Sequence, residues 1–241
     1  MKVSVVVPAF NEEKLIGQSL GAIKNAMATF AESSWESELI VCDNNSTDRT
    51  ADLARASGAK VVFEPVNQIA RARNTGAEAA SGDWLIFNDA DSYPGKDLFG
   101  RVAEIMRSGR YLYGGSTIKL QKYHPAAAMI TGIWNRISRM TKYAAGSFIF
   151  CEAAAFREIG GFDNRLFAGE EIDLSRRLKR LARKTGKKAI ILHQHPLVTS
   201  ARKMDLYSSR EHLQFLARAI CGGWRTAKDR AACYIWYDGR R

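Results

Sequence analysis

A chain of 241 residues that is 46% hydrophobic can bury one large α/β core, and its formal charge of +11 with a pI near 9.6 points to an anionic partner. That partner is a nucleotide, a nucleic acid or an anionic membrane surface. No apolar window is long enough to span a bilayer, and the run MKVSVVVPAF, followed at once by Asn11 and Glu12, is too short to act as a signal peptide. Cys42, Cys151, Cys221 and Cys233 are far apart and share no metal-ligand spacing with the four histidines, which implies a reducing, cytoplasmic compartment. The basic residues lie mostly after Arg136, and those from Arg176 to Lys184 read first as a solvated helix face.

Val3 to Val7 is a β-branched run suited to a strand buried on both faces, and Pro8 is expected to end it. Asn11 can cap a helix carrying Leu15, Ile16, Leu20, Ile23 and Met27 at helical spacing, with Glu12 and Glu13 at its positive end. Leu39 to Cys42 gives a second strand; Ser46 can cap a helix over 47–57, closed by Gly58. A strand at Val61 to Phe63, a helix at Gln68 to Ala80 and a strand at Trp84 to Phe87 follow. Four strands alternating with helices imply a parallel, doubly wound sheet.

After Asp97 the rhythm loosens. The pattern predicts a helix at Leu98 to Met106, a strand at Tyr111 to Tyr113, and an amphipathic stretch with Met129, Ile130, Ile133, Trp134, Ile137 and Met140. A strand at Phe148 to Phe150, a helix at Ala153 to Ile159, the turn Gly160-Gly161, a helix from Glu170 to Arg183 and a strand at Ala189 to Leu192 complete this half. The tail from Ser208 to Ala232 is again amphipathic, with Leu213, Phe215, Leu216, Ile220 and Trp224.

Ligands of open α/β sheets bind beyond the carboxyl ends of the strands, where four polar sets occur. Pro8-Ala9-Phe10-Asn11-Glu12 follows strand one, Asp43 strand two and Asp89-Ala90-Asp91 strand four; Glu170-Glu171 opens the late helix. Taken singly, each is also explained by loop chemistry or by a helix dipole. Two carboxylates one residue apart at a strand end can hold a hard divalent cation and reach a ribose. Such a cation neutralises the charge of a departing diphosphate.

VSVVVPAFNEE, LIVCDNNSTDRT, ARARNTGAEAASGDWLIFNDAD and GGFDNRLFAGEEIDLSRRL occur in the order found in the family 2 glycosyltransferases, and over about three quarters of its length the chain resembles that family. The resemblance implies a GT-A type nucleotide-binding fold, α/β with a mostly parallel central sheet flanked by helices and a helical C-terminal segment. Residues 1–200 would form the transferase domain, 1–97 its nucleotide-binding half and 98–200 its acceptor half, with 201–241 a basic amphipathic tail packed on it. It further implies an inverting enzyme that uses a nucleotide-sugar, commonly a UDP-sugar, and Mg2+ or Mn2+. The Pro8 to Glu12 loop and Asp43 would hold base and ribose, Arg71 and Asn74 would position the donor, Asp89 with Ala90 would meet the ribose or metal, and Asp91 would be the main metal ligand. Glu170-Glu171 stands where the family usually has Glu-Asp, which makes Glu171 the candidate base and leaves Glu170 and Asp173 as alternatives. The acceptor, whether lipid-linked, sugar, peptide or small molecule, is not readable, and Lys119 to Gly146 is the segment expected to select it.

His193 and His195 lack metal-ligand spacing of their own. The segment Thr199-Ser200-Ala201-Arg202-Lys203 could fold over the donor, its cations meeting the diphosphate. A dehydrogenase is excluded by the first turn, which has no glycine before Gly17. The remaining alternative is a basic peripheral module without catalysis, binding membrane or nucleic acid through Trp134, Arg136, Arg139 and Lys142 or through Trp224, Arg225, Lys228 and Arg230. Core packing accounts for those aromatics more simply, and a transferase with a peripheral membrane contact needs no nucleic-acid partner.

Overall fold

A computed structural model describes residues 1–122, 125–202, 206 and 224–237. Its centre is one eight-stranded sheet. Strands β1 (Lys2–Ala9), β2 (Glu36–Asp43), β3 (Lys60–Phe63) and β4 (Trp84–Asn88) run parallel in the order β3-β2-β1-β4. The sheet continues through β7 (Phe148–Glu152), β6 (Tyr111–Leu120), β8 (Lys188–Thr199) and the two-residue β5 (Ser92–Tyr93). Pairing is parallel in four of its seven ladders and antiparallel between β4 and β7, β6 and β7, and β5 and β8. The sheet is therefore mixed, and the purely parallel pattern holds for its first half.

Side chains alternate across a strand, and β1 shows the consequence. Val3, Val5 and Val7 pack on one side with helices α1 (Ile16–Glu32) and α4 (Lys96–Arg107), while Val6 packs on the other with α3 (Ile69–Glu78), α6 (Ala153–Glu158) and α7 (Glu170–Lys184). Two apolar clusters thus cover the two faces of the central strands, which is why the β-branched run carries no polar alternation. Helix α3 lies so close to β1 that a methyl group on Gly76 would run into the Val6 side chain.

Several boundaries differ from the sequence reading for local reasons. Pro8 does not end β1; it pairs with Cys42 beyond the last β1–β4 partner, Val6 with Phe87, where a residue without an N–H is tolerated. Asn11 caps no helix, because its backbone is left-handed (φ 52°) and α1 starts only at Ile16. Ser46 caps none either: α2 (Thr50–Ala56) starts later, after Asp48 has accepted the Thr50 N–H. Strands β6 and β8 are longer than expected, and His193, His195 and Pro196 lie inside β8 rather than in a loop. The amphipathic stretch forms α5 (Pro125–Thr141). Most of the predicted C-terminal helix, including Leu213, Phe215, Leu216 and Ile220, lies outside the described residues, as does Lys203. The described end of that span holds only one short turn of helix, α8 (Trp224–Ala227), and turns over 228–232; a second short turn, α9 (Tyr234–Tyr237), follows.

Candidate active site

The carboxyl ends of β1, β2 and β4 lie side by side, with Ala9 in register with Asp43 and β4 ending at Asn88. The chain then makes a tight turn in which the Ser92 N–H donates to the Asp89 carbonyl (3.1 Å), buries Ala90, and enters β5. Because β5 pairs with the end of β8, and the Ser200 N–H donates to the Asp91 carbonyl (3.0 Å), the Asp89-Ala90-Asp91 segment is fastened at both ends. Pro8, Ala9, Phe10 and Glu12 line one pocket together with Asp89, Ala90 and Asp91. Sequence reasoning missed four further lining residues, Asn44, Asn67, Ile69 and Tyr237. A second pocket is lined by Arg73, Gly146, Ser147, Glu170 and Glu171; Ile69 and Asp89 belong to both, so the two form one cleft.

The loops around the first pocket brace one another. Asn11 donates its N–H to Ser46 Oγ (3.0 Å) and accepts the Thr47 N–H on its side-chain oxygen (2.8 Å). Asp43 sits beside Ala9 and accepts the Ser46 N–H (3.2 Å), while the Asn44 amide binds the Glu64 and Val66 carbonyls and accepts the Gln68 N–H. Arg202 makes a two-pronged ion pair with Glu12 (2.8 and 2.7 Å) and comes within 3.9 Å of the Asp91 carboxylate. From the segment at 199–203, a guanidinium therefore does reach the carboxylates. Tyr237 closes the rim, its ring edge-on to Phe167 at 5.5 Å.

Helix α3 turns Arg73, rather than Arg71 or Asn74, towards the cleft. Arg71 donates to Gln68 and lines neither pocket; Asn74 ties down the turn before α7, donating to the Phe162 carbonyl (2.9 Å) and accepting the Phe162 N–H (2.9 Å). Arg73 is only 1% exposed on its side chain and bonds Glu170 (2.7 Å), Asp89 (3.0 Å) and the Gly146 carbonyl (2.8 Å). One buried cation thus joins the Asp89 turn, the loop after α5 and the start of α7. Removal from water disfavours its charge, and the surrounding carboxylates of Asp89, Glu170 and Glu171 more than compensate, so it stays protonated with its basicity raised. A signal existed in the sequence: Ala70, Arg73, Gly76 and Ala77 share the buried stripe of α3, where a charge requires a partner.

The three acids at the start of α7 have different fates. Gly169, in a left-handed conformation (φ 71°), leads into the helix. Glu170 is buried on Arg73, and Asp173 is spent on Arg177 one turn along (2.6 Å). Glu171 lines the second pocket, and its carboxyl is pushed up to about 8, first by loss of water and then by the Glu170 charge, with Arg73 opposing. His193 and His195 are remote from these acids; they line a separate groove between α4, α5 and β8.

Residues 4–158 match the profile described as Glycosyl transferase family 2. The chain belongs to this family. Among curated relatives of this family 2 member, the Haloferax volcanii glycosyltransferase AglE is 29% identical over 187 residues, 73% of this chain and 60% of AglE. Pyrococcus furiosus dolichol-phosphate mannosyltransferase is 29% identical over 130 residues, 48% of this chain and 35% of that protein. The chain thus spans 60% or less of the length of these relatives. Among solved structures, residues 1–349 of S. aureus TarS in complex with UDP-GlcNAc superpose with a TM-score of 0.64 at 21% identity, covering 99% of this chain and 71% of that TarS fragment. Mycobacterium tuberculosis glucosyl-3-phosphoglycerate synthase with Mn2+, UDP-glucose and phosphoglyceric acid gives 0.63 at 20% identity, covering 96% and 79%. The family 2 member has the GT-A fold these structures share, with its curled, mixed sheet flanked by helices.

Proposed function

We propose that this family 2 member transfers a sugar from a nucleoside diphosphate donor, with a UDP-sugar favoured, to an acceptor hydroxyl with inversion at the anomeric carbon. The observation that carries the reading is the single cleft in which Asp89 and Asp91 line one pocket and Asp89, bonded to Arg73, joins it to the adjoining pocket lined by Glu171. Pro8, Ala9, Phe10 and Ala90 would enclose the nucleotide, with Asn11, Glu12 and Asp43 bracing that wall and Asn44 adding to it. The UDP-sugars held by TarS and by the synthase, which share the fold, support a uridine donor.

The donor set suits Mg2+ or Mn2+. Among the described residues no three acidic, histidine or cysteine side chains form a ready-made cage, and a cation held by one or two carboxylates draws its remaining ligands from phosphate oxygens and water. Asp91, with Asp89 beside it, would hold the ion, which would supply charge neutralisation for the departing diphosphate. Arg202 adds a second positive group at that end. As the acceptor oxygen bonds to the anomeric carbon, its proton passes to the Glu171 carboxylate, and the bond to the diphosphate breaks with its electron pair leaving on the diphosphate oxygen. Glu170, locked on Arg73, positions rather than reacts. The free thiols of Cys42, Cys151 and Cys233 favour a cytoplasmic setting, which we place in peripheral contact with a membrane face.

Two variants test the reading. With Asp91→Ala, the stabilisation of the protein by UDP plus Mn2+ in a thermal melt should disappear. Glu171→Gln should keep that stabilisation while donor turnover falls by about 100-fold or more. Wild-type turnover in Glu171→Gln, or nucleotide binding indifferent to Asp91, would overturn the assignment.

A further inference from the structure

Five of the eight exposed large hydrophobics among the described residues lie on α5: Met129, Ile130, Ile133, Ile137 and Met140, from 44% to 75% exposed. At roughly 100° per residue they fall within an arc of about 100°. Arg136 and Arg139 flank this arc, both exposed and neither with an acidic partner among the described residues. The opposite face holds α5 to the protein: Ala127 and Ser138 are buried, and the Asn135 amide clasps Ile118 on β6, accepting its N–H (3.0 Å) and donating to its carbonyl (2.9 Å). A helix of a water-soluble surface turns its apolar stripe inward, whereas α5 anchors itself by small and polar residues and turns the apolar stripe out.

The cations continue past the stripe. Arg136, Arg139 and Lys142 line a cavity of about 650 Å³ against His193 and His195 of β8, with Met140 at its edge. We propose that α5 is an interfacial helix, lying in the plane of an anionic phospholipid bilayer with the apolar arc among the acyl chains and Arg136, Arg139 and Lys142 on the lipid phosphates. Charge complementarity selects this occupant over a second copy of the chain. Two copies meeting on this face would oppose Arg136 and Arg139 with the same cations, in a molecule already at +11.

The inference gives a location to the peripheral contact proposed for the enzyme and deepens that reading. Helix α5 ends at Thr141, and Gly146, which lines the Glu171 side of the cleft, follows five residues later, so the two are at most about 18 Å apart. Docking by α5 therefore keeps the acceptor side of the cleft near the bilayer surface.

The test is co-sedimentation of the full chain with vesicles of phosphatidylcholine alone or mixed with phosphatidylglycerol, at low and high salt. The expected result is binding to the mixed vesicles that weakens with salt, is lost in the double variant Ile133→Asp/Ile137→Asp, and falls about tenfold or more in Arg136→Glu/Arg139→Glu. Both variants should keep the wild-type melting temperature and donor turnover measured without vesicles. Absence of vesicle binding, or binding unchanged in both variants, overturns the proposal. So does a marked loss of thermal stability in Ile133→Asp/Ile137→Asp, which would mean that the chain itself covers the stripe. A dimer seen by sedimentation velocity that this variant abolishes, without vesicle binding, would assign the face to a second copy. Because the readout is binding, failure of the transferase chemistry leaves this result interpretable, and the reverse holds as well.

Discussion

Replacing Arg73 by methionine should be the most damaging single change in the cleft outside the reacting groups. Methionine fills much of the volume but leaves the Glu170 carboxylate, which is 6% exposed, without the partner it now holds at 2.7 Å. Breaking a buried ion pair by removing one member costs about 3–5 kcal/mol, because the remaining charge stays desolvated. Asp89 loses a partner too, but at 28% exposure water can replace it, so the larger part of the cost falls on Glu170. In a chain of this size that loss lowers the melting temperature by roughly 6–20 °C. The decisive assay is a double-mutant cycle with Glu170→Gln, followed by urea unfolding. The double variant should be more stable than the sum of the two single losses by about 1–3 kcal/mol, since the neutral amide has no unpaired charge to bury. Additive losses, or an Arg73→Met protein as stable as the wild type, would refute the claim that this cation holds the cleft together.

Three other outcomes are expected. The Glu171 carboxyl titrates near 8 in the folded chain against an ordinary 4.5, so its basic form accumulates only as pH rises through that value; turnover should climb towards about pH 8 and then level, and a flat profile from pH 6 to 9 would count against Glu171 as the base. The same shift makes the native state hold a proton the unfolded chain has released, so the contribution of this group to stability declines as pH rises between 4.5 and about 8, as urea midpoints across that range would record. Gly76→Ala gains about 1 kcal/mol of helix propensity but forces a methyl group into Val6; overpacking costs about 1–3 kcal/mol, so a net loss is expected, and a more stable variant in urea would show that α3 can move off β1.

The parts of the fold legible in the sequence are those where one physical signal acts alone. Strands β1 and β4 and the second half of β2 are buried on both faces and read as apolar runs, and α7 reads from its acidic first turn and basic last turn. The extensions of β6 and β8 were not legible, because the buried continuation of β6 is made of Gly114, Gly115, Ser116 and Thr117, which carry no apolar signal, and the exposed His193 and Gln194 interrupt the apolar run of β8. Strand β5 is two residues long and exists only through its pairing with Val198 and Thr199. The same division runs through the cleft. The Asp89 turn and the Phe10 to Glu12 loop follow strands and can be reached from that position alone, whereas Arg73 takes its meaning from Glu170, 97 residues away, and Asp89, 16 away. The choice among Glu170, Glu171 and Asp173 likewise depended on which acids already had partners, a property of the folded chain.

The guanidinium of Arg73 also sets a limit on how such an enzyme can be recombined. Its three bonds run to groups on both sides of residue 97, the boundary proposed between a donor-binding and an acceptor-binding portion. A chimaera that borrowed a new acceptor portion from a relative would have to import a carboxylate at the position of Glu170 and a carbonyl at that of Gly146. Lacking either, the graft would inherit an arginine with nowhere to go, and changing what the enzyme glycosylates would first require repairing the seam.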